Sequence, residues 1–427
     1  MGFGCARVAL NIRQGKILTT TLQRTLAILS LIVAGEVIFG LPFHTSRFFR
    51  PTFLEEFGLT NTELGDMFAL YGIVAMLAYF PGGFLADRFA PRWLIVVSLV
   101  LTGAGGLILA FVPSKTTLYV LFGYWGFTTI FLFWAAMIKA TRIWGGANSQ
   151  GLAFGLLDGG RGLVASVLAT GAIWLLPWLA QGQAELSMQL IIYYYTAATF
   201  LAAVLVWWTL GDGNVGSVQT VPGSRQAWSG VARNPSVWWL AGIVVAAYCG
   251  YKGIDNYGLY AAQVLGMSDL ASAKFVTAAS YTRPIAALCA GLLADRIGAN
   301  RLIRYVFGLL VLSYLVQAVF GFVHLGATLI MANLVLSVVA VYALRGVYFA
   351  VLEESRIAAH HTGAAVGIVS LVGYTPDIFF APLTGRILDA GTPAEGFANY
   401  FLVLTILSVL GLLCAMVLAR KVRRETP

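Results

Sequence analysis

The sequence predicts an all-α membrane protein in which twelve transmembrane helices form two pseudo-symmetric six-helix bundles. Of its 427 residues, 59% are hydrophobic and only 11% are charged, whereas about a quarter of the residues of a soluble protein are charged. Soluble folding would therefore leave a large apolar surface uncovered. A six-residue motif also occurs twice, 208 residues apart, and each copy lies between two long apolar runs. A repeat at half the chain length indicates two similar halves.

Twelve apolar segments are long enough to span a bilayer, since a spanning helix needs about 20 such residues. The segments of the first half are predicted at 25–46, 64–83, 92–112, 117–138, 151–176 and 189–210. Those of the second half are predicted at 237–262, 271–293, 302–323, 327–352, 363–383 and 397–419. The predicted domains are an N-terminal segment (1–24), a first bundle (25–210), a polar linker (211–236), a second bundle (237–419) and a tail (420–427).

The net charge of +9 is explained by orientation in a bilayer, because the basic residues concentrate in alternate loops. The stretches on one side hold 18 of them and those on the other side hold four. The more basic side faces the cytoplasm. We therefore expect both termini to be cytoplasmic in a bacterial inner membrane, and no nucleic-acid partner. The four cysteines are scattered without metal-ligand spacing or a disulfide framework, so we expect no metal and no cofactor.

The repeated motif is Gly83-Phe84-Leu85-Ala86-Asp87-Arg88, and its second copy is Gly291-Leu292-Leu293-Ala294-Asp295-Arg296. Each copy is interpreted as a short charged connector between two spans. A carboxylate there can accept hydrogen bonds from a helix N-terminus or pair with a cation, and Arg142 is the expected partner of Asp87. The alternative is that these charges only set topology.

This motif, the twelve segments and the central linker resemble the major facilitator superfamily. The resemblance covers the whole chain and implies a secondary transporter in which two bundles rock about a midplane site. It also implies that the motif aspartate holds the bundles together on the cytoplasmic side. The residues expected to form this cytoplasmic gate are Gly83, Asp87, Arg88, Arg142, Gly291, Asp295 and Arg296.

Ionisable residues inside the spans mark functional sites, because charges are costly in a bilayer. On the first helix, Glu36, His44 and Arg47 lie on one face. Adding 208 to His44 gives Lys252, and adding it to Arg47 gives Asp255 on the seventh helix. The duplication therefore predicts that these two pairs face each other across the symmetry axis. An alternative for Arg47 is a place at the outer rim.

Further charges lie on the fifth, eighth, tenth and eleventh helices, at Asp158, Arg161, Arg283, Arg345 and Asp377. Pairing the nearest charges in sequence couples Asp158 with Arg161, and Lys252 with Asp255. Arg283 and Arg345 are then left to face Glu36 and Asp377. The alternative for the fifth helix is a purely structural ion pair at a tight crossing. Prolines after Arg283 and before Asp377 are expected to break their helices locally.

A cavity with several guanidinium groups suits a carboxylate, sulfonate or phosphate, which a planar guanidinium binds with two hydrogen bonds. The predicted substrate-binding residues are His44, Arg47, Arg161, Lys252, Arg283, Arg345, Tyr248, Tyr251 and Tyr374. The residues predicted to carry protons or to form switching ion pairs are Glu36, Asp158, Asp255 and Asp377, since desolvation favours the protonated form of a carboxyl. The predicted function is proton-coupled uptake of a small organic anion by a monomer.

Within the superfamily, the chain looks most like bacterial organic-anion and sugar-phosphate carriers. It also resembles an uncharacterised bacterial subgroup, through the Gly-Arg-Gly run of the fifth helix, Arg345 and Gly373-Tyr374-Thr375-Pro376-Asp377. The carriers often place arginines where this chain has His44 and Lys252. Two alternatives stay open: a proton-antiport exporter of amphipathic or cationic compounds, and a sensor that binds a ligand without moving it. An enzyme is not predicted.

Overall fold

The computed structural model describes residues 21–146, 149–179, 187–211, 231–320, 326–351 and 362–424. Helices are the regular structure of these residues. Eleven of them are long and apolar enough to span a membrane, and a bent pair of helices supplies a twelfth span. The prediction of twelve spans is confirmed. Most of the predicted N-terminal segment and linker, and the end of the tail, lie outside the described residues.

The first six spans are numbered α1 to α6 and form the first bundle of the sequence duplication. They are α1 (Thr21–Val37, continued by Gly40–Phe48 after a 41° bend), α2 (Asn61–Arg88), α3 (Pro91–Ala110), α4 (Lys115–Gly145), α5 (Gln150–Leu179) and α6 (Met188–Thr209). A short helix at Arg50–Glu56 connects α1 to α2.

The last six spans are numbered α7 to α12 and form the second bundle. They are α7 (Pro235–Gln263), α8 (Asp269–Ile297), α9 (Ala299–Phe320), α10 (Ala327–Val347), α11 (Thr362–Gly373 and Pro376–Leu388) and α12 (Pro393–Arg424). Most of the predicted ends lie within a few residues of these bounds.

The second helix of each bundle, α2 and α8, has an N-cap residue at the same position of the repeat. Thr60 accepts a hydrogen bond from the backbone N–H of Glu63, whose side chain in turn accepts one from Thr60 N. Ser268, 208 residues later, accepts a hydrogen bond from Ala271 N. Such caps satisfy backbone donors that a helix leaves without a partner in its first turn. The duplication thus extends from the motif to the opposite ends of α2 and α8.

The predicted connector character of the motif is wrong, because both copies continue their helices. α2 runs through the first copy to Arg88, and the turn is made by Phe89 and Ala90 before Pro91 begins α3. α8 runs through the second copy to Ile297, and Gly298 then adopts a φ of 89° that suits glycine. Charged residues extend a helix beyond its apolar part, so apolar length alone placed these ends too early.

Several spans are interrupted near the middle of the protein. α8 has a turn at Tyr281 and α11 has one at Tyr374–Thr375, in each case just before the proline that was expected to break the helix. Proline lacks a backbone N–H and its ring disturbs the preceding turn. Three interruptions were not predicted: α1 and α4 contain π-helical segments, Gly40–His44 and Thr128–Trp134, and α7 contains a 3₁₀ segment, Ile254–Asn256. Such segments often mark functional sites.

The two bundles touch most closely where α2 crosses α11. A Cβ atom on Gly65 would lie 2.5 Å from Ala381 O, and one on Gly72 would lie 2.7 Å from Asp377 O. On the other helix, a Cβ on Gly385 would clash with Asn61 O. Small residues allow membrane helices to approach this closely. The crossing fixes the distance between the bundles and with it the shape of the space between them.

The described polar contacts between the bundles lie at mid-membrane and toward one face of the protein. We name it the opposite face, because it lies opposite the face at which α1 begins and α12 ends. It carries the connectors 57–60, 111–114, 264–268 and 389–392, whereas α1 begins and α12 ends at the other, terminal face. At the opposite face, Arg386 Nη1 donates to Asp66 Oδ1 at 2.8 Å and Thr62 N donates to Asp389 Oδ2 at 2.7 Å. Toward the terminal face, open space surrounds the Cβ positions of Gly83 on α2 and Gly155 on α5. The bundles are thus joined at the opposite face.

Candidate functional site

The ionisable side chains predicted from the sequence converge on one mid-membrane site between the bundles. They come from α1, α5, α7, α8, α10 and α11. The basic members are Arg47, Arg161, Lys252, Arg283 and Arg345, and the carboxylates are Glu36, Asp158, Asp255 and Asp377. His44 and a group of tyrosines complete the site.

Glu36 is the centre of a buried cluster on the first bundle. Its Oε2 accepts a hydrogen bond from Arg161 Nε at 3.0 Å, and its Oε1 lies 3.3 Å from His44 Nε2. Arg283 reaches across from the second bundle, with Nη1 3.8 Å from Glu36 and Nη2 3.2 Å from Asp158. The side chain of Asp158 is 56% exposed. The cluster is therefore buried at Glu36 and open at Asp158, so a ligand can approach Arg283 from that side.

A second cluster surrounds Lys252, which is buried on α7. Its Nζ lies 3.3 Å from Asp377 and 3.8 Å from Asp255. Asp377 also accepts hydrogen bonds from the Tyr248 hydroxyl at 3.1 Å. Asp255 pairs with Arg47 of the first bundle. This cluster therefore joins the bundles through the Arg47–Asp255 pair.

Arg345 differs from the other basic residues of the site, because its guanidinium lies against aromatic rings and not beside a carboxylate among the described residues. Its guanidinium carbon lies 4.0 Å from the ring centroid of Tyr251 and 6.0 Å from that of Tyr248. Among the described residues, no carboxylate lies within ion-pair distance of it. Arg47 Nη1 donates to the Tyr251 hydroxyl at 2.8 Å, so Tyr251 links Arg345 to the Arg47–Asp255 pair. An aromatic ring attracts a cation but leaves its charge uncompensated.

The structure corrects two of the predicted ion pairs. Asp158 and Arg161 do not pair within α5: Arg161 binds Glu36 on α1, and Asp158 binds Arg283 on α8. Spacing of three residues places two side chains on one helix face, but tertiary packing selects their partners. Arg345 does not bind Asp377, which is occupied by Lys252 and Tyr248.

Other expectations agree with the arrangement. Lys252 approaches Asp255, and Arg283 approaches Glu36. Arg47 is buried in the site rather than at the rim. Tyr374 packs edge-on against Tyr248, with ring centroids 5.0 Å apart.

Two contributions to the site were missed. Phe43 and Phe68 of the first bundle lie under the Lys252 ammonium, with centroids 4.5 and 5.3 Å from Nζ. Hydroxyl pairs also join the bundles beside the site, Ser166 to Ser280 at 2.7 Å and Thr170 to Tyr281 at 2.9 Å. Aromatic and hydroxyl residues are frequent throughout the spans, so nothing in the sequence distinguished these.

The residues of the predicted cytoplasmic gate lie at the terminal face. Asp87, Arg88, Arg142, Asp295 and Arg296 are exposed there. The described contact at the first motif copy comes from α4, where Lys139 Nζ donates to Ala86 O at 2.6 Å. Pairing of Asp87 with Arg142, and the gate itself, remain predictions.

Comparison with known proteins identifies relatives along most of the chain. The sequence model of the Major Facilitator Superfamily matches residues 32–381. The inner membrane protein YqcE of Escherichia coli K12 is 27% identical over 394 residues, covering 89% of this chain and 90% of YqcE. The inner membrane protein YihN of the same strain is 24% identical over 403 residues, covering 92% and 95%. The probable nitrate/nitrite antiporter NarK1 of Thermus thermophilus is 24% identical over 281 residues, covering 61% and 59%.

Solved transporter structures share the fold. A bacterial homologue of the human lysosomal transporter Spinster, in an inward-facing and unoccupied conformation, superposes with a TM-score of 0.72 at 14% identity, covering 94% of this chain and 98% of that one. The nucleoside transporter NupG superposes with a TM-score of 0.70 at 12% identity, covering 93% and 98%. At these identities the likeness establishes the helix arrangement alone.

Proposed function

Because the chain belongs to the major facilitator superfamily, we propose that it carries a small organic anion across the bacterial inner membrane by alternating access. The family and the fold make it a secondary transporter and not an enzyme. The proposed direction is uptake together with protons. The inner-membrane relatives of Escherichia coli support the proposed location.

The charge balance of the mid-membrane site carries the proposal for an anion. Its five basic side chains exceed its four carboxylates, and Arg345 is the one held by tyrosines rather than by a carboxylate among the described residues. An uncompensated charge inside a protein is costly, and a bound counter-charge relieves that cost. A ligand with one negative charge balances the site. The relative named as a probable nitrate/nitrite antiporter supports an anionic substrate class.

The Glu36 cluster supports coupling of the anion to a proton. While Glu36 is ionised, it occupies Arg161 and Arg283. Its protonation releases Arg161, which can then hold the substrate with two parallel hydrogen bonds, and leaves Arg283 with Asp158 as its one carboxylate among the described residues. Proton and anion thus favour each other's binding, and such coupling is reciprocal. Binding of the two together is the requirement for uptake driven by a proton gradient.

A thermal-shift screen of the purified protein in detergent tests the substrate class, because a ligand that binds only the folded state raises the melting temperature. The panel contains carboxylates, sulfonates, sugar phosphates, neutral sugars and lipophilic cations. It is run on the wild type, on Arg345→Gln, and on Arg301→Gln as a control at an exposed arginine of α9. We expect one anion class to stabilise the wild type and the control but not Arg345→Gln. Equal stabilisation of all three proteins by that class would refute the role of Arg345.

The observation that favours an exporter of cationic compounds is the exposed carboxylate of Asp158. That function predicts stabilisation by lipophilic cations, lost in Asp158→Asn and retained in Arg345→Gln. Flux into liposomes separates either transporter from a sensor, which would bind its ligand without moving it.

A further inference from the structure

A buried imidazole lies against the carboxylate to which the proposed function assigns the coupling proton. His44 is 2% exposed, and its Nε2 lies 3.3 Å from Glu36 Oε1. The two residues are eight positions apart, which corresponds to about 12 Å along a straight helix. They meet across the bend of α1, where His44 ends the π-helical segment Gly40–His44. The local shape of α1 therefore places the imidazole within reach of this carboxylate.

The second ring nitrogen of His44, Nδ1, is left without a partner. It is buried and makes no hydrogen bond to any of the described residues. The ring of Tyr195 on α6 packs edge-on against the imidazole, with ring centroids 6.3 Å apart, and its hydroxyl is also buried without a described partner. A buried polar atom without a partner is costly, and internal water commonly binds such atoms. Two such atoms on touching side chains suit an internal water that can bring a proton.

The groups around the imidazole determine which of its nitrogens holds the ring proton. The titratable and charged groups around His44 and its carboxylate are Glu36 and Arg47 on α1, Arg161 on α5, Tyr195 on α6 and Arg283 on α8. An ionised Glu36 binds the Nε2–H form of a neutral imidazole, which leaves the Nδ1 lone pair free to accept a proton. The ring therefore faces an acceptor with one nitrogen and can take up a proton with the other.

We propose that His44 relays protons to Glu36, an inference that rests on the proposed coupling of anion uptake to a proton on Glu36. A proton bonds to Nδ1 while the Nε2–H bond breaks, and the proton released from Nε2 moves to Glu36 Oε1. One proton thus passes through the ring, and no electron is transferred. Exchange of one proton with water, lost at Nδ1 and gained at Nε2, restores the starting tautomer.

The position of His44 along α1 gives the relay a direction. Because α1 begins at the terminal face, His44 lies on the opposite-face side of Glu36. Protons that enter from the opposite face therefore reach His44 before Glu36. With the terminal face cytoplasmic, as the basic loops predict, this is the direction that uptake together with protons requires.

Time-resolved infrared spectroscopy of the purified full-length protein tests the relay without a substrate, after protons are released from a photolysed caged compound. The protonated-carboxyl band that is missing in Glu36→Gln reports the protonation of Glu36. His44→Gln keeps an amide near the place of Nε2 but has no second ring nitrogen. We expect this band to rise about 100-fold more slowly in His44→Gln, because a positioned acid–base group contributes about 10²–10⁴-fold to a rate. An unchanged rate, even with a changed final amplitude, would show that His44 only holds Glu36 in place and would overturn the relay.

A chain in which His44 is the only histidine provides the control and a second test that does not alter His44. The sequence has four histidines, and replacement of His324, His360 and His361 by Gln should leave the rate of Glu36 protonation unchanged. In this chain the infrared bands of the ring should show the Nδ1–H form as the carboxyl band rises. A rise of the carboxyl band without any change of the ring would overturn the relay. If Glu36→Gln removes no band, Glu36 takes up no proton, and the proposed coupling fails together with the relay.

Discussion

Arg47 and Asp255 occupy equivalent positions of the two repeats, 208 residues apart, and their side chains pair with each other across the bundle interface. Residues related by a two-fold axis meet when they lie near that axis. The duplication has placed opposite charges at one such position, where both side chains are buried. The pair therefore joins the two halves at their centre of symmetry.

Removing one partner of this pair should destabilise the protein strongly, because Arg47 would lose its carboxylate, or Asp255 would keep only the more distant Lys252. We expect Arg47→Gln and Asp255→Asn each to lower the free energy of unfolding by about 3–5 kcal/mol. The double variant should be less impaired than the sum of the two changes. Denaturant unfolding in detergent measures this coupling. The exposed pair of Lys115 and Glu63 is the control, with an expected coupling of about 0–1 kcal/mol. Additive effects at Arg47 and Asp255 would contradict the pair.

Glu36→Gln should make anion binding insensitive to pH. The neutral amide mimics the protonated carboxyl and leaves Arg161 available to the substrate, while Arg283 keeps its ion pair with Asp158. We expect calorimetric binding of the substrate class identified in the thermal screen to be tighter than in the wild type at neutral pH, and the difference should become smaller as the pH falls and the wild-type carboxyl is protonated. Uptake driven by a proton gradient should be lost. Should the variant keep the wild-type pH dependence, another group carries the proton.

Asp389→Ala should favour opening at the opposite face. The Asp389 carboxylate accepts hydrogen bonds from the backbone N–H groups of Asn61 and Thr62 and so caps α2 from the other bundle. Loss of a cap costs about 1 kcal/mol. Spin labels at Glu56 and Ala390, in a chain whose cysteines have been replaced, should report a larger fraction of long distances. Glu395→Ala is the control, because Glu395 caps only its own helix through Thr392 N.

The same cap should be insensitive to pH in the neutral range. Partial burial acts to raise the pKa of Asp389, but the hydrogen bonds from Thr62 and Asn61 outweigh it and hold the pKa below its ordinary value, which is about 3.9. A carboxyl with a lowered pKa stabilises the closed face at every pH above the ordinary value and loses this effect as the pH falls through the lowered one. The distance distribution should therefore be unchanged between pH 8 and pH 5. Opening that begins near pH 6 would assign the pH response to another group.

Gly72→Ala and Gly83→Ala make the same substitution on one helix with different expected results. At Gly72 the new methyl group would meet Asp377 O, so we expect a loss of about 1–3 kcal/mol of stability. At Gly83 no atom outside its own stretch of helix lies within 4 Å of the Cβ position, and the melting temperature should not fall. If the motif packs closely when the terminal face closes, Gly83→Ala should still reduce uptake. A lower melting temperature for Gly83→Ala would show that its surroundings are not open.

The sequence predicted much of the fold because apolar length and an internal repeat are properties of the chain itself. The meeting of Arg47 with Asp255 followed from the same repeat. The partners of Asp158 and Arg161 did not, since they depend on how α5 lies against α1 and α8. The cap at Asp389 was also beyond prediction, because a carboxylate in a connector gives no indication that it will bind a helix of the other bundle.

That cap has a consequence for how the protein can be observed. The amides of Asn61 and Thr62 have their acceptor in the other bundle, and the first amides of a helix find no partner within it. When the opposite face opens, these two N–H groups lose the carboxylate as their hydrogen-bond acceptor and donate to water instead. Hydrogen–deuterium exchange at two adjacent residues therefore follows the population of the open state without any label. The first turn of α2, which belongs to the first bundle, is thus ordered only while the second bundle is close enough for Asp389 to accept its hydrogen bonds.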